Sequence, residues 1–349
     1  ATGVSFKMVL ATGAADDPVA ANAGDTYIGV EAGVDDAQLI GVEGIDLWAT
    51  GTVKVNQATD ADGSTELTPR MNWTAATSDP TDPTADDFLV DLNIAAAVEL
   101  QVTGSAAIDI AGVLIAHTGT VSLTIATVTV TDGSVTLTNA DVLSIDVLGA
   151  SVFAGSGGAL LSDHSGLDTA AITADGFGFL ATGVSFKMVL VTGADDDPIA
   201  ANAGDTYIGI EAGVDDAQLI GVEGIDLWAM GLVKVNQATD ADGSTALTPR
   251  MNWTAATTDP NDPAADDFLV DLDIAAAVEL QVTGSAAIDI AGVLVAAADS
   301  GYEGALDQAA RAGDGRLFAE LRRRMRESGA RGASLTDALG RTGSELGLD

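Results

Sequence analysis

Hydrophobic and polar residues alternate along most of the chain with a period of two. The longest alternating run extends from Phe88 to Ala116, where the even-numbered positions are apolar or small and many odd-numbered positions are polar. Such alternation places one face of a β-strand against a core and the other toward water. The run is too long for one ordinary strand, so we expect a turn or bulge near Thr103-Gly104. We expect the even-numbered side chains from Phe88 to Val102 to be buried.

Two shorter segments, Val4 to Leu10 and Ile45 to Val55, show the same period and are also predicted to be strands. In the second segment the apolar set is expected inward and the polar set outward. The inward set is Ile45, Leu47, Ala49, Val53 and Val55, and the outward set is Asp46, Trp48, Lys54 and Asn56.

Further along, residues 119–153 are rich in Thr and Val and indicate additional strands. Thr131-Asp132-Gly133-Ser134 is typical of a hairpin with a type I′ turn, so adjacent strands here are predicted to be antiparallel. Segments 12–25, 57–87 and 154–175 are rich in Gly, Asp, Pro, Ser and Thr and are predicted to be loops.

The alternating pattern belongs to a repeated unit. Residues 1–115 recur as residues 181–295, and only twelve of these positions differ between the copies. A long repeat of this kind is typical of arrays in which each unit packs on its neighbour. We therefore expect a full β unit at 1–180 and a partial second copy at 181–297. Residues 298–349 are expected to form a separate helical, Arg-rich tail, with helices near 303–312 and 314–328.

Composition agrees with a β fold. Apolar residues make up 47% of the chain and aromatic residues only 4%, so the core is built from Val, Ile, Leu and Ala. The predicted fold class is all-β, with an elongated repeat architecture and a short α-helical tail. Two arrangements remain open: a β-solenoid, and an extended twisted sheet that folds over an apolar groove.

The charge narrows the set of partners. The formal net charge is −38, and residues 301–349 contribute none of it because eight Arg there balance eight acidic residues. So acidic a body repels nucleic acid and anionic lipid surfaces and attracts cations. Two explanations of the acidity compete: Asp-rich loops that bind calcium, and general adaptation to high salt. No segment has the length and apolar character of a transmembrane helix, and cysteine is absent.

The best candidate metal ligands lie in one loop of each copy. Asp60-Ala61-Asp62-Gly63-Ser64 recurs with Asp240 and Asp242 in the second copy, and it places oxygen ligands on alternate residues before a glycine. This spacing is similar to part of a calcium loop, so calcium is the predicted cofactor. The alternative interpretation is a solvated Asx turn, in which the carboxylates accept hydrogen bonds from their own backbone.

Catalytic patterns are weak. Asp163-His164-Ser165 contains the residue types of a hydrolase triad, but adjacent residues on an extended chain point apart, so we interpret His164 as a loop residue. His117 is replaced by Ala297 in the second copy and has no second histidine nearby in sequence. We therefore predict that the protein is not an enzyme. Trp48 and Trp228 are candidates for contact with a partner or a sugar. We expect them instead to lie against the next strand layer or a covering loop, because Thr50 and Thr52 are replaced by Met230 and Leu232 in the second copy.

The unit resembles repeats of very long bacterial surface proteins of the adhesin and hemolysin-type calcium-binding kind. The segments that carry the resemblance are 178–186, 39–47 and the acidic loop at Asp60. The resemblance implies a non-enzymatic structural or adhesive segment, secreted or at the cell surface, whose partners are neighbouring repeat units and surface or glycan ligands. The groove arrangement implies a different function, the binding or conveying of lipid-like molecules.

Overall fold

The computed structural model describes residues 1–16, 22–42, 44–78, 88–258, 268–290 and 293–299. Over these ranges the chain forms one open antiparallel sheet, and the spatial order of the strands is their order in sequence. This arrangement confirms the predicted all-β class. The strands are β1 (Ser5–Thr12), β2 (Thr26–Gln38), β3 (Ile45–Thr59), β4 (Val98–Ile110), β5 (Leu114–Thr131), β6 (Thr136–Ser156), β7 (Phe177–Thr192), β8 (Thr206–Ile220), β9 (Ile225–Thr239), β10 (Leu280–Ile290) and β11 (Val293–Asp299).

Short helices occupy the connections. They are α1 (Trp73–Thr77), α2 (Thr169–Asp175) and α3 (Trp253–Ala256), with a 3₁₀ turn at Ala200–Asn202. Across the described part of the chain, no helix is both long and apolar enough to cross a membrane. The predicted tail at 298–349, with helices at 303–312 and 314–328, lies outside the described residues apart from its first two positions.

The predicted strands are present apart from the first part of one of them, whereas β2 was not predicted, and the predicted loops at 57–87 and 154–175 contain α1 and α2. β1 and β3 occupy the two short predicted segments, and the pairing of β4 with β5 shifts register between Gly104 and Ala106, where a bulge was expected. The predicted strand from Phe88 was wrong over its first ten residues, because β4 begins at Val98. Residues 88–97 instead run across the sheet in irregular conformation.

The second copy repeats the strand order of the first, and the pairing is the same from β1 to β4 and from β7 to β10. Val30 pairs with Val55 between β2 and β3, and Ile210 pairs with Val235 between β8 and β9, at an offset of 180 residues. β5 and β6 lie between the two copies and join them into one sheet. The repeat in sequence is therefore a repeat in strand order and register.

One face of the sheet, called the covered face below, lies under the segments that precede β4 and β10. Its core contains two fully buried indoles, Trp73 and Trp253, together with Leu92, Ile94, Leu272 and Ile274. Gly29 fits here because a Cβ atom on it would lie 2.7 Å from the Trp73 indole, and Gly209 has the same relation to Trp253. Glycine at these positions lets the ring pack directly on the strand backbone.

The prediction of which β3 side chains point inward was wrong. Asn56, predicted outward, is completely buried on the covered face, whereas Val53, predicted inward, is exposed on the other side. The cause is the covering layer, which satisfies the Asn56 amide by hydrogen bonds and buries it with Ala58. Sequence alternation identifies two faces, but here both faces carry apolar residues.

The expected burial of even positions holds only in part. Leu92, Ile94 and Val98 are buried, whereas Phe88 and Val90 are exposed. In the second copy the pattern differs: Leu272 and Ile274 are buried and Phe268 and Val270 are half-buried, but Leu280 and Val282 are exposed. Burial therefore depends on which strands neighbour each copy.

The predicted hairpin between β5 and β6 forms, but its turn is not type I′. Gly133 has a positive φ of 85°, whereas Asp132 does not belong to the residues with positive φ. The Asp132 carboxylate instead accepts hydrogen bonds of 2.7 Å from the backbone nitrogens of Ser134 and Val135. The antiparallel pairing predicted from this turn is confirmed.

Candidate functional site

The two predicted metal-binding loops are closed by their own backbone. Asp60 Oδ1 accepts hydrogen bonds from the nitrogens of Ser64 at 3.0 Å and Thr65 at 3.2 Å, and Asp62 Oδ1 accepts one from Ser64 at 2.8 Å. The hydrogen bond from the Thr65 backbone lowers the pKa of Asp60. Asp240 and Asp242 make the same contacts in the second copy. These hydrogen bonds form Asx turns, which fix the shape of each loop.

Metal ligands do not converge within the described residues. No group of three or more His, Cys, Asp or Glu side chains comes together there in a way that could hold an ion. Each Asp60-type loop brings two carboxylates close, fewer than the six to eight oxygens that calcium takes. Calcium binding at Asp60, Asp62, Asp240 and Asp242 remains a prediction, tested below.

A cavity of about 310 Å³ lies near the N-terminal end of β3, whereas the Asp60 loop follows its C-terminal end. The cavity brings together residues that are distant in sequence. The ring of His164 stacks on Trp48 with centroids 3.8 Å apart and planes 15° apart. His117 also lines this cavity, although no local sequence pattern places it near His164, and burial lowers the pKa of His117. The second copy ends before the loop that carries His164, and Trp228 is exposed.

The residues of the triad-like tripeptide do not form a relay. The Ser165 hydroxyl donates a hydrogen bond of 2.6 Å to Asp163 Oδ1, and this contact lowers the pKa of Asp163. His164 faces Trp48 instead of the hydroxyl. A nucleophilic serine needs a histidine that accepts its proton, and here the hydroxyl proton is directed to a carboxylate. This geometry supports a structural interpretation of the tripeptide.

One unusual surface is the open face, which is the side of the sheet opposite the covered face. Direct cross-strand pairing aligns one apolar side chain from each of ten consecutive strands into a continuous row, and none of them is fully buried. Soluble proteins seldom expose contiguous apolar surface of this extent without a binding role. The row is Phe6, Ala32, Val53, Val102, Leu123, Ile145, Met188, Ile210, Val235 and Leu280.

A second unusual surface, here called the first edge, consists of β1 and residues 88–90. Within the described residues β1 pairs only with β2, and the Phe6 side chain is 67% exposed. Its counterpart Phe186 is half-buried because β7 pairs with β6 as well as β8. Likewise Leu89 is 38% exposed, whereas Leu269 is 5% exposed.

Comparison with known proteins adds no assignment. No protein-family model matches the chain, no curated protein matches it, and no solved structure matches it. Its function is therefore inferred from its own geometry. The first edge was missed at the level of sequence, although the repeat contained a signal for it: the same residues occur twice with different neighbours.

Proposed function

We propose that this chain is a non-enzymatic structural repeat segment, in which six-strand units join side by side into one extended sheet. The proposal rests on the position of β5 and β6 beside the second copy. The strand sequence that is exposed in β1 recurs in β7, where it is paired with β6, and this pairing continues the sheet without a break. Each unit thus completes its core against its neighbour, as units in a linear array do.

Loop contacts support this junction. The Thr138 nitrogen donates to Asp197 Oδ2 at 2.8 Å, and the Asn202 amide donates to the Thr136 carbonyl at 2.8 Å. The Val270 nitrogen donates to Ser144 Oγ at 2.9 Å. Loops of the second copy are therefore built to fit β6, beyond the pairing of strands alone.

The proposed location, partners and calcium dependence rest on the resemblance and on the net charge. Repeats of the adhesin kind imply a secreted or cell-surface location, with neighbouring units and surface or glycan ligands as partners. The net charge of −38 keeps such an array soluble and attracts cations, which fits calcium stabilisation. Tests of secretion and of glycan binding on the full chain address these parts separately.

Lengthening the chain tests the structural role. A second stretch of residues 116–295, inserted after residue 295, adds one period of six strands. At about 4.8 Å per strand the sheet should widen by about 29 Å, and X-ray scattering should show this increase as one longer body. Scattering from separate compact bodies would contradict the proposal. The unmodified chain is the control.

The open face supports a second candidate function, the binding of lipid-like molecules. Its apolar row crosses the sheet from Phe6 to Leu280 and would accept a long acyl chain. A fluorescent fatty acid should bind the full chain saturably. Leu123→Glu with Ile145→Glu, at the middle of the row, should abolish binding. Gln57→Glu with Gln237→Glu, at its polar margin, should preserve it. Absence of saturable binding by the unmodified chain removes this candidate.

A further inference from the structure

We infer that the first edge is a docking site for a β-strand with the sequence of β6, supplied by another copy of the repeat unit. The inference deepens the structural function proposed above, and it specifies the strand, its direction and its register. An exposed strand edge presents unpaired backbone donors and acceptors and accepts an added strand in β-augmentation.

The second copy identifies the occupant. β1 and residues 185–192 of β7 have the same sequence except that Ala11 is replaced by Val191. In β7 this segment is paired antiparallel with β6, so that Val147 faces Phe186, Ile145 faces Met188 and Leu143 faces Leu190. The corresponding positions Phe6, Met8 and Leu10 are all exposed in β1. The same register on β1 would cover them.

A side chain outside β1, that of Phe88, is also more exposed than its counterpart in the second copy. Phe268 packs against the cores on both sides of the junction, those that contain Trp253 and Trp73. Its counterpart Phe88 is 86% exposed. An incoming unit that supplies a β6-type strand would bring the apolar residues that Phe88 lacks.

Charge agrees with the register. Asp146 faces Lys187 across the β6–β7 pair, and the lysine offsets part of the desolvation of this carboxylate. Lys7 is at the matching position of β1, where its ammonium pairs with Glu31 at 3.4 Å and its side chain is 40% exposed, so it can also meet the same aspartate in a docked strand. Opposite charges directly across an antiparallel pair stabilise the pairing.

Cysteine cross-linking can test the site because the chain contains no native cysteine. We would incubate the full chain carrying Met8→Cys with a synthetic peptide of residues 138–150 carrying Ile145→Cys, in a thiol–disulfide buffer. Three controls are matched to this pair. In the first, the peptide cysteine is moved to position 144 or 146. In the second, the chain cysteine is moved to the counterpart Met188, which β6 already covers. In the third, the peptide carries Ser144→Pro with Leu143→Pro.

The inference predicts a cross-link for the Met8 and Ile145 pair that is at least about ten times more abundant than with the shifted cysteines, because adjacent strand positions point to opposite faces. Met188→Cys should give little product, and so should the proline peptide. Hydrogen exchange of the unmodified chain should slow at residues 5–12 when the unmodified peptide is added.

The inference would be overturned by the absence of a cross-link at Met8, by equal cross-linking at the shifted positions, or by equal cross-linking at Met188. A disulfide between two chains that excludes the peptide would also overturn it and would assign the edge to self-pairing. If the lengthened chain forms one wider sheet but the peptide does not dock, the array function stands and only the edge inference fails.

Discussion

Trp73 donates a hydrogen bond of 2.9 Å from its indole Nε1 to Oδ1 of Asn56, in the interior of the covered face. The Asn56 amide in turn donates to the carbonyls of Met71 at 2.9 Å and Ala95 at 3.2 Å. Trp253 and Asn236 repeat the contact in the second copy at 3.1 Å. A buried amide with all these partners fastens the covering layer to the sheet.

Replacement of this asparagine should therefore be costly. Asn56→Ala leaves the indole N–H and two carbonyls without their partner, so we expect a loss of about 2–4 kcal/mol in the free energy of unfolding, measured with urea. Gln57→Ala, one position along on the open face, is the control and should change stability by less than about 0.5 kcal/mol. Equal effects of the two substitutions would contradict the assignment of faces.

The two copies provide a matched pair of leucines. Leu269→Ala removes a side chain buried against β5 and β6 and should destabilise the chain by about 2–4 kcal/mol. Leu89→Ala, in the same local sequence, should cost less than about 1 kcal/mol because Leu89 remains partly in water. Comparable losses at both positions, from the same urea experiment, would mean that Leu89 is covered in solution.

This pair shows how far the sequence could predict the fold. The period-two pattern located β1 and β3, and the repeat located their counterparts in the second copy. The pattern could not distinguish the covered face from the open one, because Val53 and Ala58 lie on opposite faces and both are apolar. The decisive feature is the layer around Trp73, whose irregular backbone has no periodic signal.

The candidate sites were predictable to a smaller degree. The spacing of Asp60 and Asp62 indicated either a calcium loop or an Asx turn. The hydrogen bonds of an Asx turn are present, and calcium binding stays a prediction. The approach of His117 to the Trp48 and His164 stack depends on pairing between distant strands and is invisible in local sequence. The first edge depends on what lies beside β1, which no property of β1 itself determines.

One carboxylate should give the protein a pH-dependent stability. Burial raises the pKa of Asp146, while Lys187 opposes this effect and Asp271 adds to it. A raised pKa favours the protonated form in the folded state, so the contribution of Asp146 is fully present below its unfolded pKa and is lost as pH rises through its folded pKa.

Asp146→Asn should therefore stabilise the chain at pH 7, by less than about 1 kcal/mol because the carboxyl is partly solvated. The gain should vanish below about pH 4, where aspartate is protonated in the unfolded chain as well. Urea unfolding of both proteins across this pH range measures the difference. A substitution that destabilises at pH 7 would show that the pairing with Lys187 outweighs burial.

Calcium should raise the melting temperature more than sodium does at matched ionic strength, if Asp60 and Asp240 bind the ion. Asp60→Asn with Asp240→Asn is an informative variant because asparagine keeps the oxygen that accepts the Ser64-type hydrogen bond and removes only the charge. It should melt as the unmodified chain does without calcium and lose the extra rise. Equal rises in both salts would assign the loops to Asx turns alone.

Hydrogen exchange at the repeated strand tests the central claim, that β5 and β6 complete the second copy while the same surface stays open in the first. Residues 4–10 and 184–190 are identical in sequence, so their intrinsic exchange rates match, and Ala11 against Val191 gives fragments 4–11 and 184–191 different masses. We predict that 184–190 exchanges at least roughly a hundredfold more slowly than 4–10, because β7 is paired on both sides. Equal protection of the two segments would contradict the account.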